Sequence, residues 1–190
     1  MSTRTRVARG VAALSIAGTV ALTTPPASAS ADESLSRLTS FVVERLRVSD
    51  DVAAAKFGTT SPIDDPAREQ QVLDQVRTQA TALGLDADDA AAFFRDQITA
   101  SKVVQRGLFA RWTARPEEVP TTRPDLSLIR TRLDRLTSDL LGQLKSTEDL
   151  RAHRIPCRVH LAIATGSAAV LERLDALHRE ALGTAVHSVC

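Results

Sequence analysis

Four stretches of this chain repeat apolar residues at alternating intervals of three and four, a period that limits the fold to packed α-helices. The first stripe runs Leu35, Leu38, Val42, Arg45, Ser49, Val52, Lys56, and the second Asp65, Glu69, Val72, Val76. The third runs Phe94, Ile98, Ser101, Gln105, Leu108, Trp112, and the fourth Leu126, Arg130, Leu133, Thr137, Leu140, Leu144. Each stripe should face a bundle core, yet each carries charged or amide side chains. An unpaired charge buried there costs several kcal/mol, so such cations are normally matched by carboxylates. Arg45, Lys56 and Arg130 outnumber Asp65 and Glu69, and Arg68 lies beside the second stripe. The stripes are short of negative charge, and a pocket built from them suits a small dianion.

The N-terminus reads differently from the rest. Arg4, Arg6 and Arg9 precede an apolar run from Val11 to Leu22, and Ala27-Ser28-Ala29 and Ala29-Ser30-Ala31 both have the small-x-small pattern of a signal-peptidase site. This combination is a secretory leader, too short to span a bilayer. Cleavage after Ala29 or Ala31 leaves roughly 160 residues, enough for one domain with its own core. The whole chain has 24 Lys and Arg against 23 Asp and Glu; without the three leader arginines the balance is 21 to 23, a net charge of −2. That balance gives no reason to expect a nucleic-acid partner, and no later segment is apolar enough for a membrane span. The mature protein is expected in the periplasm or medium. In that oxidising setting Cys157 and Cys190 read as one disulfide, closing a loop of about 34 residues and contributing roughly 3–4 kcal/mol.

Strand signals are nearly absent, whereas helix punctuation is frequent. The first helix is expected from about Asp32 to Phe57, stopping at Gly58. Asp65-Pro66 starts a second that ends near Leu83 with Gly84 behind it. Asp86, Asp88 and Asp89 suit the positive start of a third, running to about Trp112. Pro116, Pro120 and Pro124 mark a linker. The fourth helix should run from near Asp125 to about Leu150, broken by Ile155-Pro156 from a last helical region, Cys157 to about His187, with a further break at Gly166. The expected fold is a single all-α bundle of five or six helices.

Arg45 and Lys56 are eleven residues apart, close to three turns, so both leave one face about 16 Å apart and can reach one site from opposite ends. Asp65, Arg68 and Glu69 occupy one helical turn, where a cap and two surface charges are an equally ordinary reading. Ser101 and Gln105 interrupt an apolar stripe one turn apart, as a structural cross-helix hydrogen bond or as ligand donors. The four histidines, His153, His160, His178 and His187, lie off the stripes without metal-ligand spacing. There is no glycine-rich phosphate loop and no seryl nucleophile motif. Cations, an amide and a hydroxyl without a nucleophile suit chemistry by positioning and electrostatics alone.

In order and spacing, Arg45, Lys56, Asp65-x-x-Arg68-Glu69 and Ser101-x-x-x-Gln105 resemble the active-site set of the AroQ-type chorismate mutases. The stretch from Ile129 to Leu141 resembles the N-terminal helix of the intracellular form, which donates an arginine to its partner's site. Here it lies downstream, so one chain can supply both parts. That order, the leader and the cysteine pair resemble the secreted gamma subclass. The resemblance spans nearly all of residues 34–190: active-site helices over 34–145 and a disulfide-closed helical region over 157–190.

It implies a Claisen rearrangement of chorismate to prephenate without a cofactor. Arg45, Arg68 and Arg130 would hold the two substrate carboxylates, assisted by Ser101. Lys56 and Gln105 would donate to the ether oxygen, and Glu69, with the backbone near Asp65, would meet the ring hydroxyl. Some secreted members carry Glu at the position of Gln105, which must be protonated to donate; Gln needs no proton. Isochorismate pyruvate-lyase chemistry on the same fold, or a non-catalytic exported helical module, are the competing readings. A homodimer is a further expected association, and the substrate dianion is the expected small-molecule partner.

Overall fold

The computed structural model describes residues 27–190, with side chains from residue 33 onward. The expected leader and its cleavage position lie outside the residues whose side chains are described. Seven α-helices follow in order: α1 (Ala27–Lys56), α2 (Pro66–Ala82), α3 (Ala87–Ala114), α4 (Leu126–Ser146), α5 (Glu148–Arg151), α6 (Arg154–Leu171) and α7 (Ala176–Ala185). A 3-10 turn, Pro116–Glu118, follows α3. No strand occurs among the described residues, and the fold is the expected all-α bundle.

α1 is the central helix, packed on α3, α4, α6 and α7. Its stripe residues Leu35, Leu38 and Val42 are buried, as are Val43, Leu46 and Val48 beside them, because neighbours cover it on more than one side. The other stripes also turn inward: Val76 on α2, Phe94 and Leu108 on α3, Leu140 and Leu144 on α4 are all buried. α3 and α7 approach closely where Gly107 has no side chain; a Cβ there would stand 2.5 Å from the Leu177 side chain.

Local chemistry sets the ends. Asp65 caps α2 by accepting from the Arg68 N–H at 3.0 Å, with Pro66 in the first turn. Gly84, at φ +66°, takes the left-handed conformation that closes α2. Asp86 accepts from the N–H groups of Asp88 and Asp89 to start α3, and Asp125 accepts from the Ser127 N–H to start α4.

Three boundary expectations are corrected. The fourth helix stops at Ser146, and a separate single turn, α5, follows. Ile155 and Pro156 do not break the chain: they sit in the first turn of α6, where a missing N–H has no intrahelical partner to lose. Gly166 does not interrupt the last region either; it lies inside α6 with open space around it. The break falls at Glu172–Asp175, where Arg173 turns back at φ +49° and Asp175 caps α7.

The disulfide forms as expected. Cys157 and Cys190 are bonded with Cα atoms 5.8 Å apart, tying the start of α6 to the C-terminus. No helix among the described residues is long and apolar enough to cross a membrane.

Candidate active site

The C-terminal half of α1, the start of α2, the middle of α3 and the first half of α4 surround a cavity of about 270 Å³. Arg45, Lys56, Asp65, Arg68, Glu69, Ser101, Gln105 and Arg130 all line it. The polar interruptions of four separate stripes therefore meet at one place, while the uninterrupted parts of the stripes form the core.

Arg45 is the deepest of the cations, only 8% exposed. Its guanidinium makes two long hydrogen bonds, at 3.4 Å each, to the Leu133 carbonyl and Thr137 Oγ1. It also stands 5.6 Å from the Phe94 ring centroid. Burial pulls its pKa down to about 10, with the charge of Asp134 acting the other way. Five N–H donors and two long bonds leave capacity for a ligand. Lys56 donates to the Pro62 carbonyl at 2.8 Å. Partial burial lowers its pKa; Asp65, Glu69 and Asp64 oppose that, and Arg130 reinforces it. Arg68 and Arg130 are exposed, at the rim rather than the floor. Among the described residues, none of these four cations forms an ion pair with a carboxylate.

On the α3 wall, Ser101 Oγ accepts from Ser49 Oγ at 2.9 Å and from Gln105 Nε2 at 3.1 Å. Gln105 is buried and its Oε1 has no partner. Gln105 lines the cavity, and its Nε2 carries a second N–H beyond the one given to Ser101, a donor that a ligand there can use.

Lys102 escaped the stripe reading. It lies next to Ser101 in sequence, off the stripe, and looks like a solvated lysine there. In the fold its Nζ stands 2.7 Å from Glu69 Oε1, 2.8 Å from Oε2 and 3.2 Å from Asp64 Oδ1. Burial alone would lower the Lys102 pKa, but those two carboxylates raise it on balance. Arg106, one turn on, holds both Asp64 oxygens at 2.8 Å, and Glu69 Oε1 also accepts from the Asp65 N–H. Glu69 is thus neutralised and oriented without drawing on Lys56. Ser49 and Thr137, on the stripes but not singled out, brace Ser101 and Arg45.

Five cations line the cavity (Arg45, Lys56, Arg68, Lys102 and Arg130) against three carboxylates (Asp65, Glu69 and Asp134), a formal surplus of two positive charges. The histidines lie elsewhere. His178 is buried between Asp50 and Asp175, and none of the four lines this cavity.

Residues 29–106 match the family model for chorismate mutase type II. The chain is 34% identical over 180 residues to the secreted chorismate mutase of Mycolicibacterium smegmatis, covering 95% of this chain and 99% of that protein. It is 34% identical over 166 residues to the secreted chorismate mutase of Mycobacterium tuberculosis, covering 87% and 83%. Among solved structures it is similar to a chorismate mutase from Burkholderia phymatum, with a TM-score of 0.79 and 36% identity over 85% of this chain and 98% of the other.

Proposed function

The chain belongs to the chorismate mutase type II family, and from that premise we propose that the cationic cavity is where it converts chorismate to prephenate. It is an exported enzyme, like the relatives named as secreted, with cleavage after Ala29 or Ala31 leaving a mature chain that contains the domain of residues 32–190. The observation that carries the assignment of the site is Arg45: a buried cation with no carboxylate partner, in a cavity two negative charges short. Chorismate supplies two carboxylates.

In this reading Arg45, at the floor, and Arg68 and Arg130, at the rim, hold the two carboxylates, with Ser101 assisting. Fixing both ends selects the folded conformer in which the bond-forming carbons lie together. As the ether C–O bond breaks, negative charge grows on its oxygen, and Lys56 and Gln105 donate to it there. Donors fixed by the protein before the bond breaks favour the transition state over the ground state. Glu69, oriented by Lys102, accepts from the ring hydroxyl beside the Asp65 backbone. The reaction is unimolecular, so it asks for no nucleophile and no general base.

The test is conversion of chorismate by the exported, disulfide-bonded protein, followed by chorismate depletion and prephenate formation. Salicylate and pyruvate from isochorismate, without prephenate from chorismate, would instead assign the cavity to a lyase. Arg130→Ala and Lys56→Ala should each lower kcat/KM by several kcal/mol of transition-state binding. Unchanged turnover in both would overturn the site.

A further inference from the structure

Of the five cations around the cavity, Lys102 is the one already paired with carboxylates. Its Nζ stands 2.7 Å from Glu69 Oε1, 2.8 Å from Oε2 and 3.2 Å from Asp64 Oδ1. An ammonium has three N–H donors, so these contacts leave none for a ligand. Arg106 takes both oxygens of Asp64 at 2.8 Å, and neither of those residues lines the cavity, so their charges cancel outside it. Glu69 Oε1 also accepts from the Asp65 N–H at 3.2 Å. That leaves Glu69 one lone-pair site for a further donor, but no net charge to offer it. The Lys102 side chain is only 19% exposed and that of Glu69 26%, so water screens this pair poorly.

We infer that Lys102 determines substrate specificity, selecting a neutral hydroxyl over an ammonium on the substrate ring where it faces Glu69. The inference rests on the reading of the cavity as the site of chorismate conversion, and adds a choice between substrates. The lining charges carry it. Five cations against three carboxylates leave a surplus of two, which chorismate, with two carboxylates and a neutral hydroxyl, cancels. The analogue with an amino group in place of the ring hydroxyl is an ammonium at neutral pH, and brings a net charge of only −1. Its ammonium would share the Glu69 carboxylate with Lys102, the two nitrogens about 6 Å apart by hydrogen-bond lengths. Like charges at that distance near a protein surface repel by the equivalent of about a hundredfold in binding. Without Lys102, four cations face three carboxylates, a surplus of one that matches the analogue. Both substrates would rearrange alike: the ether C–O bond breaks, a C–C bond forms, and no atom is gained or lost. The ring substituent takes no part, so the discrimination is electrostatic.

The test measures kcat/KM for chorismate and for its ring-amino analogue in the wild type, Lys102→Met, Lys102→Arg and Glu69→Gln. The ratio between the two substrates cancels any change in folded fraction, which a merely structural lysine would impose on both equally. Lys102→Met should move the ratio toward the amino analogue by about a hundredfold. Lys102→Arg keeps the charge and should hold the ratio within about threefold of wild type. Glu69→Gln removes the carboxylate between Lys102 and the substituent, so the ratio should move the other way. That arm stands even if Lys102→Met fails to fold. A Lys102→Met ratio within about threefold of wild type, or the same direction of change in both variants, would overturn the inference while chorismate conversion stands. A wild type that converts neither substrate would instead remove the reading of the cavity, and this inference with it.

Discussion

At Arg45 stability and function pull in opposite directions. Its charge is desolvated, bonded only at 3.4 Å, and unpaired by any carboxylate, so the empty site holds it at a free-energy cost that a dianion offsets. Arg45→Met should lower kcat/KM by on the order of a thousandfold yet raise stability by about 1 kcal/mol, near 3 °C in Tm. Calorimetry beside steady-state kinetics separates the two, and a lower Tm would contradict the account. Gln105 and Lys56 set the pH range. Wild-type activity should persist from mildly acid pH until Lys56 loses its proton, at a pH below the usual 10.5 because burial lowers its pKa. Gln105→Glu donates only when protonated, so its kcat/KM should fall as pH rises and be confined to acid. A profile flat from about pH 5 to 8 would remove Gln105 from the ether oxygen. Arg45 and Gln105 were legible because each breaks an apolar stripe. Lys102 was not, because its role depends on Asp64 and Glu69 arriving from another part of the chain.

Among the elements, α7 is held by an ionic clasp. His178 Nε2 bonds Asp50 of α1 at 3.0 Å and Nδ1 bonds Asp175, the α7 cap, at 2.8 Å. Only a doubly protonated ring donates to two carboxylates at once. The bond to Asp50 raises the His178 pKa above its usual 6.5 against burial, with Asp175 adding to the rise. Burial pushes the Asp175 carboxyl up, but His178 and Arg111 bring it down on balance to about 2. A raised histidine contributes stability that is full below 6.5 and lost as pH rises through its folded pKa. The depressed Asp175 contributes above its unfolded pKa and loses that as pH falls toward 2. His178→Gln should therefore lower stability by on the order of 2 kcal/mol near pH 5.5 and by much less near pH 9. Denaturant titrations at the two pH values check this, and an equal loss at both would show the ring to be neutral. The α6 boundaries were misread for a related reason. Pro156 and Gly166 usually punctuate helices, but a proline in a first turn and a glycine on an open face leave the helix intact.

For the molecule as a whole, the disulfide is a staple remote from the chemistry, since neither cysteine lines the cationic cavity. Cys157→Ala combined with Cys190→Ala should lower unfolding free energy by about 3 kcal/mol in the chain-entropy account while leaving kcat/KM close to wild type. A tenfold loss of kcat/KM at a temperature where the variant is folded would tie the C-terminal helices to the site. Helical class, the helix starts at Asp65, Asp86 and Asp125, the inward stripes and the excess of cations were all decided by the order of residues. Each depends on side chains within a few turns of one another, where spacing is geometry. The tertiary structure alone decided that α1 is covered on several sides, that Lys102 neutralises Glu69, that His178 bridges two carboxylates and that one face of α6 is left open. Those depend on which distant segments pack together, and helices joined by loops can bring charges dozens of residues apart within 3 Å without leaving a period in the chain.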